Sequence, residues 1–162
     1  MSASNLSQRL VSAMPRLRRF ARALTGMPQD AEDLIHAAVV RALEQPPSVA
    51  SDAEFERWLL RVARNLWIDE LRSAERRLRD SYRANDWEDE VESNAGDAEL
   101  AKRLNEVDAA MRQIPPDLRV VLVFVCVEGY TYQETADLMG IPVGTVMSRL
   151  ARARLRLGEL LQ

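Results

Sequence analysis

Along most of the chain, hydrophobic positions recur at spacings of three and four without strand-like alternation, a pattern that predicts helices throughout. Leu6, Leu10, Met14, Leu17, Phe20 and Leu24 form a first amphipathic stripe. Pro15 interrupts it, which predicts a kink or a restart with Pro15 in a first turn. Gly26 and Pro28 close this element. A second helix opens at Pro28, with Asp30, Glu32 and Asp33 near the positive end of the helix dipole. Its predicted buried face is Leu34, Ile35, Ala38, Val39 and Leu43, and Pro46-Pro47 stop it. Ser51-Asp52-Ala53-Glu54 has the spacing of a capping box, in which the Glu returns to the cap amide. The helix it starts carries Phe55, Leu59, Val62 and Leu66 on one face, with Arg57, Arg61, Arg64, Asn65 and Arg72 roughly opposite.

Residues 84–98 break the pattern: they have no helical period and many acids, and they read as a flexible linker. Trp87 lies within it, either as a docking aromatic or as a loosely packed surface side chain. Beyond it, Leu100, Leu104, Val107, Met111 and Ile114 form a stripe ended by Pro115-Pro116. Leu118, Val121, Leu122 and Val125 form the next, ended by Gly129. Cys126, flanked by Val125 and Val127, reads as core. Thr131-Tyr132-Gln133-Glu134 is a second capping box, opening a short helix that ends at Met139-Gly140. A long final helix follows Ile141-Pro142, with Val146, Leu150, Ala153, Leu157 and Leu160 expected inside. The predicted fold is all-α: two small helical domains, 1–83 and 99–162, joined by the acidic linker 84–98.

Composition narrows the chemistry. The net charge of −3 hides +3 over residues 1–83, −7 over 84–99 and +1 over 100–162. Of the 22 basic residues, all but Lys102 are arginine, which suits phosphate and base-edge contacts, although a GC-rich coding bias gives the same excess. One cysteine and one histidine are too few for an internal disulfide or a structural zinc site, so no metal or cofactor is expected. The absence of a secretory pattern and of a long apolar run predicts a cytoplasmic protein. There is no glycine-rich phosphate loop, nucleophile motif or paired ligand set, so an enzyme is not expected.

The last two predicted helices have the offsets of a helix-turn-helix. Ala136 precedes the turn residue Gly140 by four, and Val146 follows by six, which allows two helices to cross closely. With Val146 directed inward, Thr145, Ser148, Arg149, Arg152 and Arg156 fall on the far side or one flank, where hydroxyls and guanidiniums can meet base edges and phosphates in a major groove.

Taken in order, these motifs make the whole chain resemble the extracytoplasmic-function (ECF) class of bacterial RNA polymerase sigma factors. Asp30-Ala31-Glu32-Asp33-Leu34-Ile35 resembles that family's region 2.2. Phe55-Glu56-Arg57-Trp58-Leu59, Val62-Ala63-Arg64-Asn65 and Asp69-Glu70-Leu71-Arg72 resemble regions 2.3 and 2.4. Ile114-Pro115-Pro116-Asp117-Leu118-Arg119, Val127-Glu128-Gly129-Tyr130-Thr131-Tyr132 and Gly140-Ile141-Pro142-Val143-Gly144-Thr145-Val146 resemble region 4, as do Ser148-Arg149-Leu150 and Arg152-Ala153-Arg154. The resemblance implies that Asp30, Glu32, Asp33 and His36 face the β′ clamp helices of core RNA polymerase, although acids in a first turn also serve as dipole partners. It implies that Arg57, Arg61, Arg64, Asn65 and Arg72 take the melted −10 strand, with a base captured in the loop from Gln45 to Asp52. It implies that Thr145, Ser148, Arg149, Arg152 and Arg156 read the −35 element while this region rests on the β flap, and that an anti-sigma factor is a further partner. Trp58, beside Leu59, reads as core, with stacking on a base as the alternative.

Three departures from the family pattern stand out. His36-Ala37-Ala38 replaces a usual Gln, acid and small or hydroxyl residue, and His36 reads as a polar substitute for that Gln. Met147 replaces a common Lys or Arg, and the Pro46-Pro47 loop is unlike the usual −10 loop. A sigma-like decoy that binds an anti-sigma factor without reading promoters is the competing interpretation. It does not need the two arginine faces, and such decoys usually carry a receiver domain, which this chain lacks. A one-domain transcriptional regulator would leave residues 1–83 without a task.

Overall fold

The computed structural model describes residues 2–80 and 98–162, and no strand occurs among them. The first half consists of α1 (Ala3–Thr25), α2 (Pro28–Glu44) and α3 (Asp52–Asp80). The second consists of α4 (Ala98–Arg112), α5 (Pro116–Leu122), a π-helical turn (Val123–Val127), α6 (Tyr132–Met139) and α7 (Val143–Leu160). The expected linker, including Trp87, lies outside the described residues except for Ala98, where α4 begins.

Local chemistry sets most of the helix ends. The Ser2 side chain caps α1 by accepting from the Asn5 amide at 3.3 Å, and Gly26 ends the helix at φ 68°, a conformation that favours glycine. Pro15 neither ends nor restarts α1, contrary to the restart expected as one possibility. It sits on the exposed side, one turn beyond the exposed Val11, so the carbonyl that loses its amide partner can turn to water. At the start of α3, Glu54 N–H donates to the Ser51 hydroxyl at 3.2 Å, but the Glu54 carboxylate accepts from the Ala50 amide at 2.9 Å instead of the cap's own. At α6 the full reciprocal box forms between Thr131 and Glu134.

The stripes pack largely as their spacing predicts, with informative exceptions. Leu10, Leu17, Phe20 and Leu24 of α1 are buried against α2 and α3. On α2 the core side runs through Ala31, Leu34, Ile35, Ala38 and Ala42, whereas Leu43 is 54% exposed. Ala38 and Ala42 have no exposed surface, so small side chains hold the face against which the neighbouring helices lie. On α3 the core runs through Phe55, Leu59, Leu60, Ala63 and Trp67, leaving Val62 and Leu66 half-buried. On α4 only Ala110 and Met111 are buried; Leu100, Leu104 and Val107 face outward, so among the described residues the expected stripe finds no partner in its first turns. On α7, Val146, Leu150 and Ala153 are buried, while Leu157 and Leu160 are half-buried.

Cys126 is exposed, which corrects its expected place in the core. The cause is the π-helical turn. The Glu128 amide donates to the Val123 carbonyl at 3.0 Å, five residues back, and the Tyr130 amide donates to Phe124 at 3.1 Å. The extra residue in the turn rotates Cys126 and Val127 outward and Glu128 inward.

The two halves share one hydrophobic core. The rings of Phe20 and Phe124 lie 5.2 Å apart, and Phe124 meets Tyr130 edge-on at 6.0 Å. Polar contacts frame this seam. The Glu128 side chain, with no exposed surface, accepts from Arg16 Nε at 2.7 Å and from Arg19 Nη2 at 3.1 Å. Arg16 also bonds Glu56 of α3 at 2.7 Å and lies over the Tyr130 ring at 4.9 Å. Burial works to lower the Arg16 pKa, but the bonds to Glu128 and Glu56 outweigh it and the net direction is upward. Arg22 pairs with Asp108 at 2.7 Å, and Arg112 donates to the Gly26 carbonyl at 2.8 Å.

Candidate nucleic-acid interface

The outward face of α3 is built by exclusion. Once Phe55, Leu59, Ala63 and Trp67 are inside, Arg57, Arg61, Asn65 and Arg72 emerge on the solvent side, with Arg64 half-buried at the edge. Arg64 Nη1 donates to Asn65 Oδ1 at 2.8 Å. Burial, together with the nearby guanidiniums of Arg149 and Arg72, lowers the Arg64 pKa, and its Nε is buried without a hydrogen-bond partner. Like charges held this close, with a donor unsatisfied, make an anion-seeking surface. All five residues predicted for the −10 strand lie on this helix, and Arg149 of α7 approaches Arg64.

Trp58 is half-buried, with its ring 5.9 Å from Phe55. It also lines a cleft of about 310 Å³ with Val49, Arg57 and Arg61 on one side and Glu134, Asp137 and Leu138 of α6 on the other. Trp58 thus both packs on the core and presents an aromatic surface beside two arginines, the two ingredients of a base-stacking site. The loop preceding α3 is tied down by a residue that sequence reasoning missed. Arg9 of α1 donates to the carbonyls of Val49 at 3.3 Å and Ala50 at 3.5 Å, and lies 3.0 Å from Asp52. Sequence alone carried no signal for this, because the partners are about 40 residues apart.

On α2, Asp30, Glu32, Asp33 and His36 are exposed together, and Asp33 accepts from Gln29 at 3.2 Å. Asp30 and Asp33 also border a groove of about 580 Å³ between α2 and α3, floored by Leu34, Leu66, Trp67 and Leu71. The surface is acidic and partly apolar, fitted to a protein partner that brings basic side chains.

The helix-turn-helix forms as predicted. Gly140 takes φ 65°, and the amides of Gly140 and Ile141 both return to the Ala136 carbonyl. Ala136 and Val146 are buried at the crossing. Ser148, Arg152 and Arg156 project outward; Ser148 donates to the Thr145 carbonyl at 3.1 Å, and Arg156 pairs with Glu159 at 3.4 Å. Thr145 and Arg149 are half-buried, with Arg149 Nε 4.0 Å from Asp117. Met147, in the position where the family pattern has a cation, is 53% exposed.

No helix among the described residues is long and apolar enough to cross a membrane. Residues 10–87 match the model of sigma-70 region 2, and residues 104–157 match that of sigma-70 region 4. The chain is 31% identical over 157 residues to the ECF RNA polymerase sigma factor EcfG of Rhodopseudomonas palustris, covering 97% of this chain and 85% of that one. It is 34% identical over 149 residues to the ECF RNA polymerase sigma factor SigM of Mycobacterium tuberculosis, covering 90% and 71%. Among solved structures, the sigma factor RpoE of Bartonella quintana, crystallised with the anti-sigma factor NepR, superposes with a TM-score of 0.76 at 26% identity and covers 98% of each chain. Regions 2 and 4 in order, on a helical frame of this form, make the chain a member of the ECF class of RNA polymerase sigma factors, with a role in transcription initiation.

Proposed function

We propose that this chain binds core RNA polymerase, directs it to −10 and −35 promoter elements and opens the DNA. The observation that carries this reading is the pair of arginine faces on separate helices. One, on α3, lies beside the cleft lined by Trp58. The other lies on the second helix of a helix-turn-helix. Duplex reading needs donors on a helix that enters the major groove, which Ser148, Arg149 and Arg152 supply early in α7, with Thr145 at its edge and Arg156 further along. Holding a melted strand needs cations beside an aromatic surface, which Arg57 and Arg61 supply next to Trp58, with Arg64, Asn65 and Arg72 further along the same helix. Asp30, Glu32, Asp33 and His36 face the β′ clamp helices, and region 4 rests on the β flap. The Bartonella relative was solved with an anti-sigma factor, and a protein of that kind is the regulator expected here. Transcription places the work in the cytoplasm.

The decisive experiment adds the purified chain to core polymerase on a library of linear promoter fragments and sequences the run-off transcripts. Promoter-dependent transcripts sharing −10 and −35 elements support the reading. A chain that binds an anti-sigma factor but yields no such transcripts is the decoy instead.

A further inference from the structure

The loop between α2 and α3 is held by side chains from two helices. From α1, the Arg9 guanidinium donates to the Val49 carbonyl at 3.3 Å and to the Ala50 carbonyl at 3.5 Å. From the first turn of α3, the Glu54 carboxylate accepts from the Ala50 amide at 2.9 Å. Ala50 is therefore tied by both its amide and its carbonyl. Upstream, the rings of Pro46 and Pro47 restrict the backbone by themselves. Val49 and Ala50 are the part of the loop whose place depends on other side chains.

Val49 is half-buried and stands between two spaces. In front of it is the cleft that holds Trp58, Arg57 and Arg61. Behind it is a hollow of about 290 Å³ between the loop and α1, lined by Asn5, Arg9, Pro46, Pro47, Ser48 and Val49. Among the first-half residues around Trp58, Glu54, Arg57 and Arg61 are fixed on α3, and only Val49 belongs to a loop. The Arg9 side chain is 13% exposed, and its hydrogen bonds go to loop carbonyls. Its ionic partner Asp52, 3.0 Å from Nε, is 80% exposed, and a pair so open to water contributes little.

We propose that Arg9 is a positioning residue for base selection: it keeps Val49 forward as one wall of the Trp58 cleft, and so sets which base of the melted −10 strand is accepted there. The proposal rests on the −10 role given to α3 above. Stacking on an aromatic ring accepts any base, so discrimination comes from what surrounds the ring. Arg9 does not line the cleft and acts through Val49. Without Arg9, the segment keeps only its bond to Glu54, and the hollow behind gives it room to fall back. The cleft then widens on its loop side, and bases that Val49 excluded by contact can enter.

The test uses the full chain with core polymerase on a promoter library randomised through the −10 element, with the −35 element fixed. Run-off transcripts are sequenced. The quantity read is the ratio of transcripts from the favoured base to those from its rivals at each −10 position. A smaller folded fraction lowers the yield but leaves this ratio unchanged. The two Arg9 bonds are long, so together they are worth about one ordinary hydrogen bond, or about tenfold in how often the loop loosens. Rival bases enter in proportion to the loosened fraction. Arg9→Ala is therefore expected to lower the ratio by about fivefold to tenfold at one −10 position and to leave the others unchanged. Arg9→Lys, whose ammonium reaches one carbonyl at a time, should give an intermediate ratio. Asp52→Asn should leave the ratio as it is. An unchanged ratio in Arg9→Ala overturns the proposal even if the yield or Tm falls, because Arg9 then only stabilises the fold. Equal loss at every −10 position overturns it too, as does a loss in Asp52→Asn as large as in Arg9→Ala. A native chain that gives no promoter-dependent transcripts overturns instead the function proposed above, and this proposal with it.

Discussion

Replacing Arg119 should loosen the join between the two halves more than any surface charge would. Its guanidinium is buried. Nη1 donates to the Leu24 carbonyl at 3.0 Å, Nη2 to Arg112 and Ile114 at 2.9 Å each, and Nε to Ile114 at 3.3 Å. It also lies 5.2 Å over the ring of Trp67. One residue thus ties the end of α1, the α4–α5 turn and α3. Bonds from a charged donor contribute about 1.5–3 kcal/mol each, so three carbonyls give roughly 4–9 kcal/mol. Against this, burial, with a smaller contribution from Arg112, pushes the Arg119 pKa down to about 10. At about 1.4 kcal/mol per tenfold in proton affinity, holding the charge there costs roughly 3 kcal/mol. It stays protonated near neutrality. The net loss for Arg119→Ala is about 3 kcal/mol, or a fall in Tm of about 6–12 °C for a chain of this size. Arg119→Lys keeps the charge but cannot reach three carbonyls with one ammonium, and should recover less than half of the loss. Urea titrations followed in parallel by tryptophan emission and far-ultraviolet dichroism measure this, and coincidence of the two probes licenses a single free energy. A loss below about 1 kcal/mol, or full rescue by lysine, refutes the bridging role.

Other outcomes follow from the same geometry. Arg61→Ala with Asn65→Ala should leave binding to a −35 duplex intact and reduce permanganate reactivity of thymines at −10, because the lost donors belong to the α3 face. Arg149→Ala should cost about 1–3 kcal/mol on the cognate −35 duplex and less on a scrambled one, whereas Arg156→Ala should weaken both alike and flatten the salt dependence. Equal losses on cognate and scrambled duplexes would make Arg149 a phosphate contact. Gly26→Ala places a Cβ at φ 68°, 2.8 Å from Arg112 Cγ and 2.9 Å from the Asp108 carbonyl, so calorimetry should show a loss of more than about 1 kcal/mol. Cys126→Ser should change stability by less than about 0.5 kcal/mol, and the native thiol should react with a small disulfide reagent without unfolding; slow reaction only on denaturation would put it back in the core.

Much of what rests on neighbouring residues could be read in the sequence. The Thr131 capping box, the turn at Gly140 and the inward row of Val146, Leu150 and Ala153 need only contacts within a few residues, and periodicity reports these directly. The arginine face of α3 was legible for the same reason. What packs against a face was not. Leu100 and Leu104 have core-like spacing yet lie exposed, because spacing defines a stripe and says nothing of its partner. Ala42 displaced Leu43 from the core side because close helix packing favoured the smaller residue. Glu128 was the hardest case. Its cations lie 112 and 109 residues away, and a valine-rich run gives no mark of where a helix widens.

The π-helical turn at Val123–Val127 has a consequence for how this chain tolerates length changes. One surplus residue in a helix advances everything after it by about 100° around the axis. The turn acts as a rotational spacer between two rigid parts: the half that packs on α1, and the helix-turn-helix beyond it. Deleting a single valine here would let an ordinary α-helix form, with better local bonding and no loss of apolar character. Yet the Glu128 carboxylate would swing away from its arginines, and α7 would present a different edge to solvent. A conservative indel in the most hydrophobic stretch of the molecule would therefore act at a distance, through phase rather than through contact.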